Sequence, residues 1–404
     1  MLGPRALTAM LVALGIFLAG SAAWAQFPGR TPGTTLFPEL PVRGPIVLYP
    51  TLTLGVEYND NVFLRNDQKR SDFIGSVTPG LQVIFEGATY RWAAGYSLTG
   101  EKYFHNSELD SAVQRQNFFL TGSQRLSPQF TLTLNDVFVE DNNTNFVGTD
   151  NIAVGRQKAR SNVFAPGFTW AFAPKTSLRV EASYTLQRYS DPAAADSNVY
   201  RFTTDLTHEF TGRFLGILGY EARYIDVERQ FGVSTHTPRV GVTYRFTPQA
   251  TATVIVGPTV RVTRGESPSL SPFVDATITD LFSWGSATAY FQRSVGTAGG
   301  AGGTTENTSF GGLVAVTSLV RDLILEAGPR YSIAQSTGGG DAIDVRSFSL
   351  DLRATYRFTS WLAGVAGYRL FLQRSDSQSA TIARDVDQNR VFLGVQFGFP
   401  VKFD

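Results

Sequence analysis

The 404-residue sequence contains no cysteine and, beyond its N-terminus, no long apolar run. The absence of cysteine excludes disulfide bonds and metal sites built from thiolates. Because a membrane-spanning helix needs about 20 apolar residues, any insertion of the mature chain into a membrane must use strands. The formal net charge is only +1, which gives no reason to expect a nucleic-acid partner.

A turn motif recurs along the chain at a nearly constant interval. Its clearest copy is Arg245-Phe246-Thr247-Pro248-Gln249-Ala250, and variants occur at 171–176 and 357–361. Each copy has a large apolar residue, then a hydroxyl residue or alanine, then a turn former such as proline. A repeated turn between extended segments predicts an array of β-hairpins.

The segments between these turns alternate apolar and polar residues. In 177–187, Leu178, Val180 and Tyr184 lie on one face of a strand, while Arg179 and Glu181 lie on the other. The alternation lasts for about ten residues or more, the length that a tilted strand needs to cross a bilayer. We predict eighteen transmembrane strands, at 51–62, 71–87, 89–104, 112–126, 129–142, 160–173, 176–190, 198–211, 213–230, 235–247, 250–264, 269–283, 285–297, 304–319, 322–336, 343–358, 361–374 and 387–399.

The connections between the predicted strands are alternately short and long. This asymmetry predicts short periplasmic turns and longer extracellular loops, with both chain ends on the periplasmic side. Aromatic residues beside the short turns predict a girdle at the lower membrane interface; they are Phe172, Phe210, Phe246, Phe282, Trp284, Phe358 and Trp361. The fold class is therefore all-β, an antiparallel up-and-down transmembrane barrel.

The first 50 residues are expected to lie outside this barrel. Residues 1–25 have a basic start, an apolar core and the small-x-small site Ala23-Trp24-Ala25, which predicts a secretory signal peptide cleaved near Ala25. Residues 26–50 contain six prolines and no periodic pattern, which predicts an extended periplasmic leader. The barrel is predicted to occupy 51–404, in the outer membrane of a Gram-negative cell.

Charged residues on the polar phase of the strands are predicted to face the lumen, because a charge facing lipid would cost a few kcal/mol. Thirteen residues form this set: Arg179, Glu181, Glu221, Arg223, Arg239, Arg245, Arg261, Glu326, Arg330, Asp351, Arg353, Arg357 and Arg369. One interpretation is an arginine ladder that attracts anionic solutes or a polyanionic sugar chain. The other is that Arg–acid pairs, such as Arg179 with Glu181 or Asp351 with Arg353, together with their cross-strand neighbours, brace the wall.

Other candidate sites carry less specific signals. Oxygen-bearing residues at strand ends, Asp60, Asn61, Asp141, Asn142 and Asn143, could bind a hard cation or could simply cap strands and loops. Of the three histidines, His208 falls on the lipid-facing phase, so His105 and His236 would carry any acid–base role. No local pattern indicates a nucleophile unit, a cofactor or a metal site, so we predict that the chain is not an enzyme.

The last predicted strand resembles the C-terminal signal of outer-membrane barrel proteins. It runs Asn389-Arg390-Val391-Phe392-Leu393-Gly394-Val395-Gln396-Phe397-Gly398-Phe399, with alternating apolar residues that end on an aromatic. The resemblance implies recognition by the barrel-assembly machinery, which adds the segment as a strand. Five residues follow, so either Phe399 ends the signal or Phe403 is a displaced terminal aromatic.

The run Leu54-Gly55-Val56-Glu57-Tyr58-Asn59-Asp60-Asn61-Val62-Phe63 resembles the opening of the type 2 family of β-barrel porins from Gram-negative bacteria. The closing hairpin, from Tyr356-Arg357-Phe358 through Tyr368-Arg369 to Asn389-Arg390-Val391, is also similar. This resemblance implies an outer-membrane barrel, associated in several lineages with exopolysaccharide production and export. It implies no catalytic residues; for Asp60 and Asn61 it suggests a capping role.

These patterns predict a passive outer-membrane channel for a solute or an exopolysaccharide, with lipid and export components as partners. The alternatives are a plugged barrel that serves as a structural or assembly scaffold, and an outer-membrane hydrolase. An open lumen would favour the channel. A loop folded inward, with Asn143–Ala159 as the longest candidate, would favour the plugged barrel.

Overall fold

The computed structural model describes residues 46–147, 151–317, 319–336, 343–376 and 385–403; the predicted signal peptide and most of the predicted leader lie outside them. The strands are β1 (Ile46–Asn59), β2 (Asp72–Glu86), β3 (Tyr90–Tyr103), β4 (Ser111–Ser127), β5 (Phe130–Asn143), β6 (Arg156–Ala173), β7 (Thr176–Tyr189), β8 (Ser197–Thr211), β9 (Phe214–Val227), β10 (Val233–Arg245), β11 (Ala250–Thr263), β12 (Ser269–Phe282), β13 (Gly285–Thr297), β14 (Thr304–Val316), β15 (Leu323–Ser336), β16 (Asp344–Arg357), β17 (Leu362–Ser375), β18 (Val386–Gly398) and β19 (Val401–Phe403). Short 3₁₀ helices occupy Ser107–Leu109, Thr144–Phe146 and Gly299–Ala301. In the described part of the chain, no helix is long and apolar enough to cross a membrane.

The strands close into a barrel. Each strand from β1 to β17 pairs antiparallel with the next one, and β18 returns to pair with β1 from Thr51–Gly398 to Asn59–Arg390. The short strand β19 continues this pairing on β1 through Ile46–Phe403. The prediction of an eighteen-stranded up-and-down barrel is therefore confirmed, and closure leaves no lone sheet edge at the chain ends.

The two faces of the sheet are reversed relative to those of a water-soluble barrel. On β1, Leu54 and Val56 are 38% and 50% exposed on the outer face, while Glu57 and Asn59 are 7% and 1% exposed on the inner face. The same arrangement holds around the barrel, where large apolar residues dominate the exposed outer positions. An apolar exterior over a polar interior is stable only in lipid, so the chain is a transmembrane barrel.

The short turns show why their motif repeats. In four of them the hydroxyl residue accepts hydrogen bonds from the backbone N–H groups two and three residues later. Thr247 Oγ1 accepts from Gln249 and Ala250 at 3.2 and 2.9 Å, and Ser127, Thr211 and Thr359 do the same. The side chain thus replaces the ladder partners that the backbone lacks at the turn.

The predicted girdle beside these turns is also present. Phe172, Phe210, Phe246, Trp284, Phe358 and Trp361 are all exposed, and the ring of Phe282 lies 4.2 Å from that of Trp284. Aromatic rings favour the headgroup boundary, so this ring of residues marks one edge of the membrane-spanning zone.

The first strand begins at Ile46 rather than at the predicted Thr51. The prediction placed Pro50 in the leader because residues 26–50 contain six prolines and no periodic pattern, and proline cannot donate to a strand ladder. In the structure, the Pro50 carbonyl accepts from the Phe399 N–H at 3.2 Å, so the proline nitrogen faces the same neighbour. The neighbouring strand is itself interrupted at this point, between β18 and β19. The N–H group that Pro50 lacks therefore removes no regular hydrogen bond of the ladder.

Candidate functional site

Two of the long loops fold into the barrel. The described residues of the β5–β6 loop, 144–147 and 151–155, are almost all buried. Its tip reaches the opposite wall, where Ala153 exchanges two hydrogen bonds with the side chain of Gln373 on β17, at 2.8 and 2.9 Å. The Asn151 amide also donates to Ser347 Oγ on β16 at 3.2 Å. The loop therefore crosses the lumen, as the plugged-barrel alternative requires.

The β13–β14 loop packs against this first loop. Ala298 is fully buried in one apolar cluster with Ile152 and Val154 of the β5–β6 loop. The cluster is completed by Ala334, Ile343 and Val345 at the long-loop ends of β15 and β16. We refer to residues 144–147, 151–155 and 298–303 as the loop layer. It spans the lumen near its long-loop end and is held there by apolar burial.

A cavity of about 870 Å³ lies beneath the loop layer. It extends from Gln249 and Leu281, beside the short turns, to Asn145 and Phe146 of the β5–β6 loop. Hydroxyl residues line much of its short-turn end. Its middle is lined by nine arginines and seven carboxylates; they are Arg115, Arg179, Arg201, Arg223, Arg239, Arg330, Arg353, Arg369 and Arg390, and Glu57, Glu181, Asp205, Glu221, Asp275, Glu326 and Asp351.

Ten of the thirteen residues proposed from the sequence are in this lining. Arg245, Arg261 and Arg357 are not. Arg245 and Arg357 end their strands at the short-turn rim, where Arg245 donates to the Gly212 carbonyl at 3.0 Å. Arg261 lies near the opposite rim and donates to Ser269 Oγ at 2.9 Å. These three arginines face inward but lie above or below the cavity.

One part of the lining, the β7–β10 wall, consists of Arg179, Glu181, Arg201, Asp205, Glu221, Arg223 and Arg239. Glu181 accepts from Arg179 at 2.7 Å and from Arg201 at 2.8 Å. Glu221 accepts from Arg223 at 2.5 Å and from Arg239 at 3.2 Å, and Arg239 also binds Asp205 at 2.8 Å. Glu181 and Glu221 thus each bridge arginines on neighbouring strands, which fixes the side chains along the wall.

A second part, the seam wall, consists of Glu57 and Arg390 on the closing pair β1 and β18, and of Asp351 and Arg369 on the nearby strands β16 and β17. Glu57 binds Arg390 at 2.7 Å, and both side chains are less than 10% exposed. Asp351 binds Arg369. The ring of Phe146 lies over both arginines, 4.2 Å from the Arg369 guanidinium and 5.0 Å from that of Arg390. The seam wall is therefore the surface on which the β5–β6 loop rests.

These contacts show wall bracing by Arg–acid pairs. The proposed pair Arg179–Glu181 is present, and Asp351 binds its cross-strand neighbour Arg369. Asp351 lies directly opposite Arg369 on the neighbouring strand. Side chains of directly opposite residues lie closer together than those of residues two apart on one strand. The arginine excess in the cavity is also smaller than the nine to four expected from the sequence, because additional carboxylates line it.

Six charged residues of the cavity were not predicted from the sequence: Glu57, Arg115, Arg201, Asp205, Asp275 and Arg390. Each one lies on the polar phase of a predicted strand, so the alternation itself could have identified them. Arg390 lies in the stretch that resembles the C-terminal signal, and Glu57 lies in the stretch that resembles the opening family motif.

The weaker candidates have structural roles. The Asp60 carboxylate accepts from the backbone N–H and the side-chain amide of Asn389, both at 2.7 Å, which is the suggested capping interaction. Asp141 caps the backbone N–H of Asn143 at 2.9 Å. Among the described residues, no group of three His, Asp or Glu side chains is arranged to hold a metal ion. His236 faces outward and contacts the Tyr220 hydroxyl at 2.6 Å.

Comparison with known proteins finds similarity in architecture only. No protein-family model matches the sequence, so the resemblance to the type 2 porin family is not confirmed. No curated protein matches it in sequence. Similar solved structures include Acinetobacter baumannii OccAB4 (TM-score 0.45, 10% identity, covering 88% of this chain and 98% of that one). The outer membrane protein OpdK of Pseudomonas aeruginosa, solved also with vanillate, gives a TM-score of 0.44 at 12% identity, covering 88% of this chain and 99% of that one. These similarities are too distant to transfer a function.

Proposed function

We propose that this barrel is a passive outer-membrane channel for small polar solutes. The observation that carries the proposal is the cavity itself, which is lined by hydroxyl and charged side chains inside a closed barrel with an apolar exterior. A lumen of this kind replaces the hydration of a polar solute by fixed hydrogen-bonding groups. In this proposal the solute flows down its concentration gradient without energy coupling.

The charges favour solutes that carry both polar and charged groups. Nine arginines against seven carboxylates give a small excess of positive charge. Most of these arginines already form ion pairs with carboxylates. A paired guanidinium retains further N–H donors for a passing anion. We therefore expect a modest preference for anions rather than strict anion selection.

The loop layer favours small solutes over a polymer. An exopolysaccharide chain would have to pass where Ala153 binds Gln373 and where Phe146 covers the seam wall. Export of a chain would require release of these contacts along the whole β5–β6 loop. Exopolysaccharide export, with its export partners, is therefore the less favoured form of the channel proposal.

A second candidate function is a plugged barrel that serves as a structural or assembly scaffold. The observation that favours it is the loop layer, whose residues bury an apolar cluster across the lumen. In this case the cavity beneath the layer would be a blind vestibule on the periplasmic side. Recognition of β18 by the assembly machinery is part of both proposals, because β18 forms the closing seam with β1.

Solute flux into proteoliposomes distinguishes the two functions. The refolded mature chain is compared with a variant in which residues 144–155 are replaced by an Asn-Gly turn, a connection that suits a hairpin. The channel proposal expects uptake of a monosaccharide and of a small carboxylate by the wild type, with a trisaccharide excluded. Uptake only by the shortened variant would overturn the channel and establish the plugged barrel.

A further inference from the structure

The barrel wall has an interruption between β12 and β13. The ladder between these strands ends at Val274–Arg293. On either side the pairing continues toward the long-loop end, to Arg261–Ser269 between β11 and β12 and to Thr297–Thr304 between β13 and β14. Residues 269–273 of β12 and 294–297 of β13 are therefore not paired with each other. We call this interval the side gap.

Pro272 explains why the ladder stops there. Pro272 lies opposite Pro258 on β11, and since neither residue can donate, this is a non-hydrogen-bonded pair. The nitrogen of Pro272 consequently faces β13. If the ladder continued in the same register, Val295 would lie opposite Pro272. A regular ladder would need an N–H from residue 272 to the Val295 carbonyl, and proline cannot supply it.

The end of β13 turns into the lumen instead. The Val295 carbonyl accepts a hydrogen bond from Arg223 Nη1 on β9 at 2.9 Å. Its side chain is buried in an apolar cluster with Ile225, Val227 and Val233. An arginine of the β7–β10 wall thus replaces the donor that Pro272 lacks, and the displaced strand end leads into the β13–β14 loop of the loop layer.

Polar side chains bridge the side gap. Glu306 on β14 binds Arg293 on β13 at 2.6 Å and also accepts from Ser271 Oγ on β12. Arg293 lies one outward-facing position beyond Phe291, an exposed aromatic that neighbours exposed Phe310. On β14 the outward-facing positions beyond Phe310 are Thr308 and Glu306, so this flank of the side gap is polar, whereas Leu270 on the β12 flank is apolar and 71% exposed.

The cavity reaches the lower edge of this gap. Phe273, Asp275 and Gln292, which flank the last ladder pair, all line the cavity. The direct path toward the long-loop end is crossed by the apolar contacts of the loop layer. In the structure the side gap is closed, since Ser271, Phe273 and Val295 are all buried and Ser271 donates to Glu306. We infer that the lumen communicates with the outer surface through the side gap when Glu306 releases Ser271. This inference rests on the proposed channel function and assigns its exit.

A cross-link across the gap tests the inference. The chain has no native cysteine, so a Ser271→Cys/Glu306→Cys variant can be bridged by a short, reducible bifunctional thiol reagent. The matched control is Ile278→Cys/Ala289→Cys on the same two strands, where the two residues are directly paired, face outward and lie outside the cavity lining, and the ladder is intact. Single-barrel current in a planar bilayer is recorded before bridging, after bridging and after reduction.

The side exit predicts that bridging 271 to 306 lowers the current to near the level of the bare bilayer, that reduction restores it, and that the control pair changes it little. Glu306→Ala, which removes the bridging side chain, is expected to raise the current. An unchanged current in the bridged 271–306 variant would overturn the side exit while leaving the channel intact. A wild-type barrel that passes no current would overturn the proposed channel, and the side exit with it.

Discussion

The β7–β10 wall and the seam wall use the same chemistry for different tasks. Both pair arginines with carboxylates across neighbouring strands. The β7–β10 wall faces the open cavity, and its pairs leave guanidinium groups at the solute path. The seam wall is covered by Phe146, so its arginines hold a loop in place. The two walls differ in what the arginines contact on the side that faces away from the carboxylate. That contact, rather than the carboxylate partner, decides the role of the arginine.

The largest expected effect comes from breaking the buried pair of the seam wall. Arg390→Ala removes the ion-pair partner of Glu57 in a site where both side chains are less than 10% exposed. Removing one member of a buried ion pair costs about 3–5 kcal/mol. The free energy of unfolding, measured by urea titration in lipid vesicles, should fall by about this amount.

Two variants serve as controls for this result. Arg179→Ala on the β7–β10 wall, where the side chain is 30% exposed, should cost only about 0–1 kcal/mol. The double change Glu57→Gln/Arg390→Gln removes both charges and should recover part of the loss. Equal losses at Arg390 and Arg179 would contradict the distinction between the two walls.

A smaller effect is expected when the loop is released from the seam wall. Phe146→Ala removes two cation–π contacts, each worth about 0.5–2 kcal/mol, while the ion pairs beneath remain. Amide hydrogen exchange in 144–147 should become faster, with little change at β7–β10. Phe146→Tyr keeps the aromatic face and is the matched control. If Phe146→Ala left loop exchange unchanged, the ring would not be the anchor.

A still smaller effect is expected on ion preference. Arg179→Gln/Arg201→Gln leaves Glu181 as an unpaired charge in the cavity, so the reversal potential in a salt gradient should move toward cation preference. The shift should shrink at 1 M salt, where the screening length is about 3 Å. Lys102→Gln, which lies outside the lumen, should leave the reversal potential unchanged. A shift of equal size in the Lys102 variant would show that the lumen charges do not set the preference.

The smallest effect belongs to an exposed pair at the rim. The hydrogen bond from Lys102 and the backbone N–H of Tyr103 lower the pKa of Asp110 below its ordinary value. A lowered folded-state pKa gives stability that is present above the unfolded pKa and is lost as the pH falls through the folded one. Lys102→Ala should therefore raise the pKa of Asp110 and weaken this pH dependence. The pKa is measured by NMR titration, and an unchanged value would exclude the Lys102 contact as its cause.

Much of the fold could be predicted because it depends on local periodicity. The alternation in 177–187 and the hydroxyl turns at Thr247 and Thr359 are each set within a few residues. These local patterns predict the number of strands, the residues that face the lumen and the end of the barrel that carries the short turns, without any long-range information. Arg179, Glu181 and Arg239 were assigned to the lumen phase because a charge facing lipid is costly, and all three lie in the cavity lining.

The loop layer and the side gap could not be predicted in the same way. The contact of Ala153 with Gln373 joins residues 220 positions apart, and no local pattern encodes such a pair. Pro272 did carry a local signal, since proline within a strand marks an edge or a break. Its consequence at Val295 depends on Arg223, which comes from a strand that is not adjacent to β13.

The most direct test of the account is the current through single refolded wild-type barrels in a planar bilayer under a salt gradient. The channel proposal predicts stable openings with a modest anion preference. This preference should be strongest at low salt, where the cavity arginines are least screened. A correctly folded barrel that passes no current under these conditions would contradict the channel and leave the loop layer as a plug.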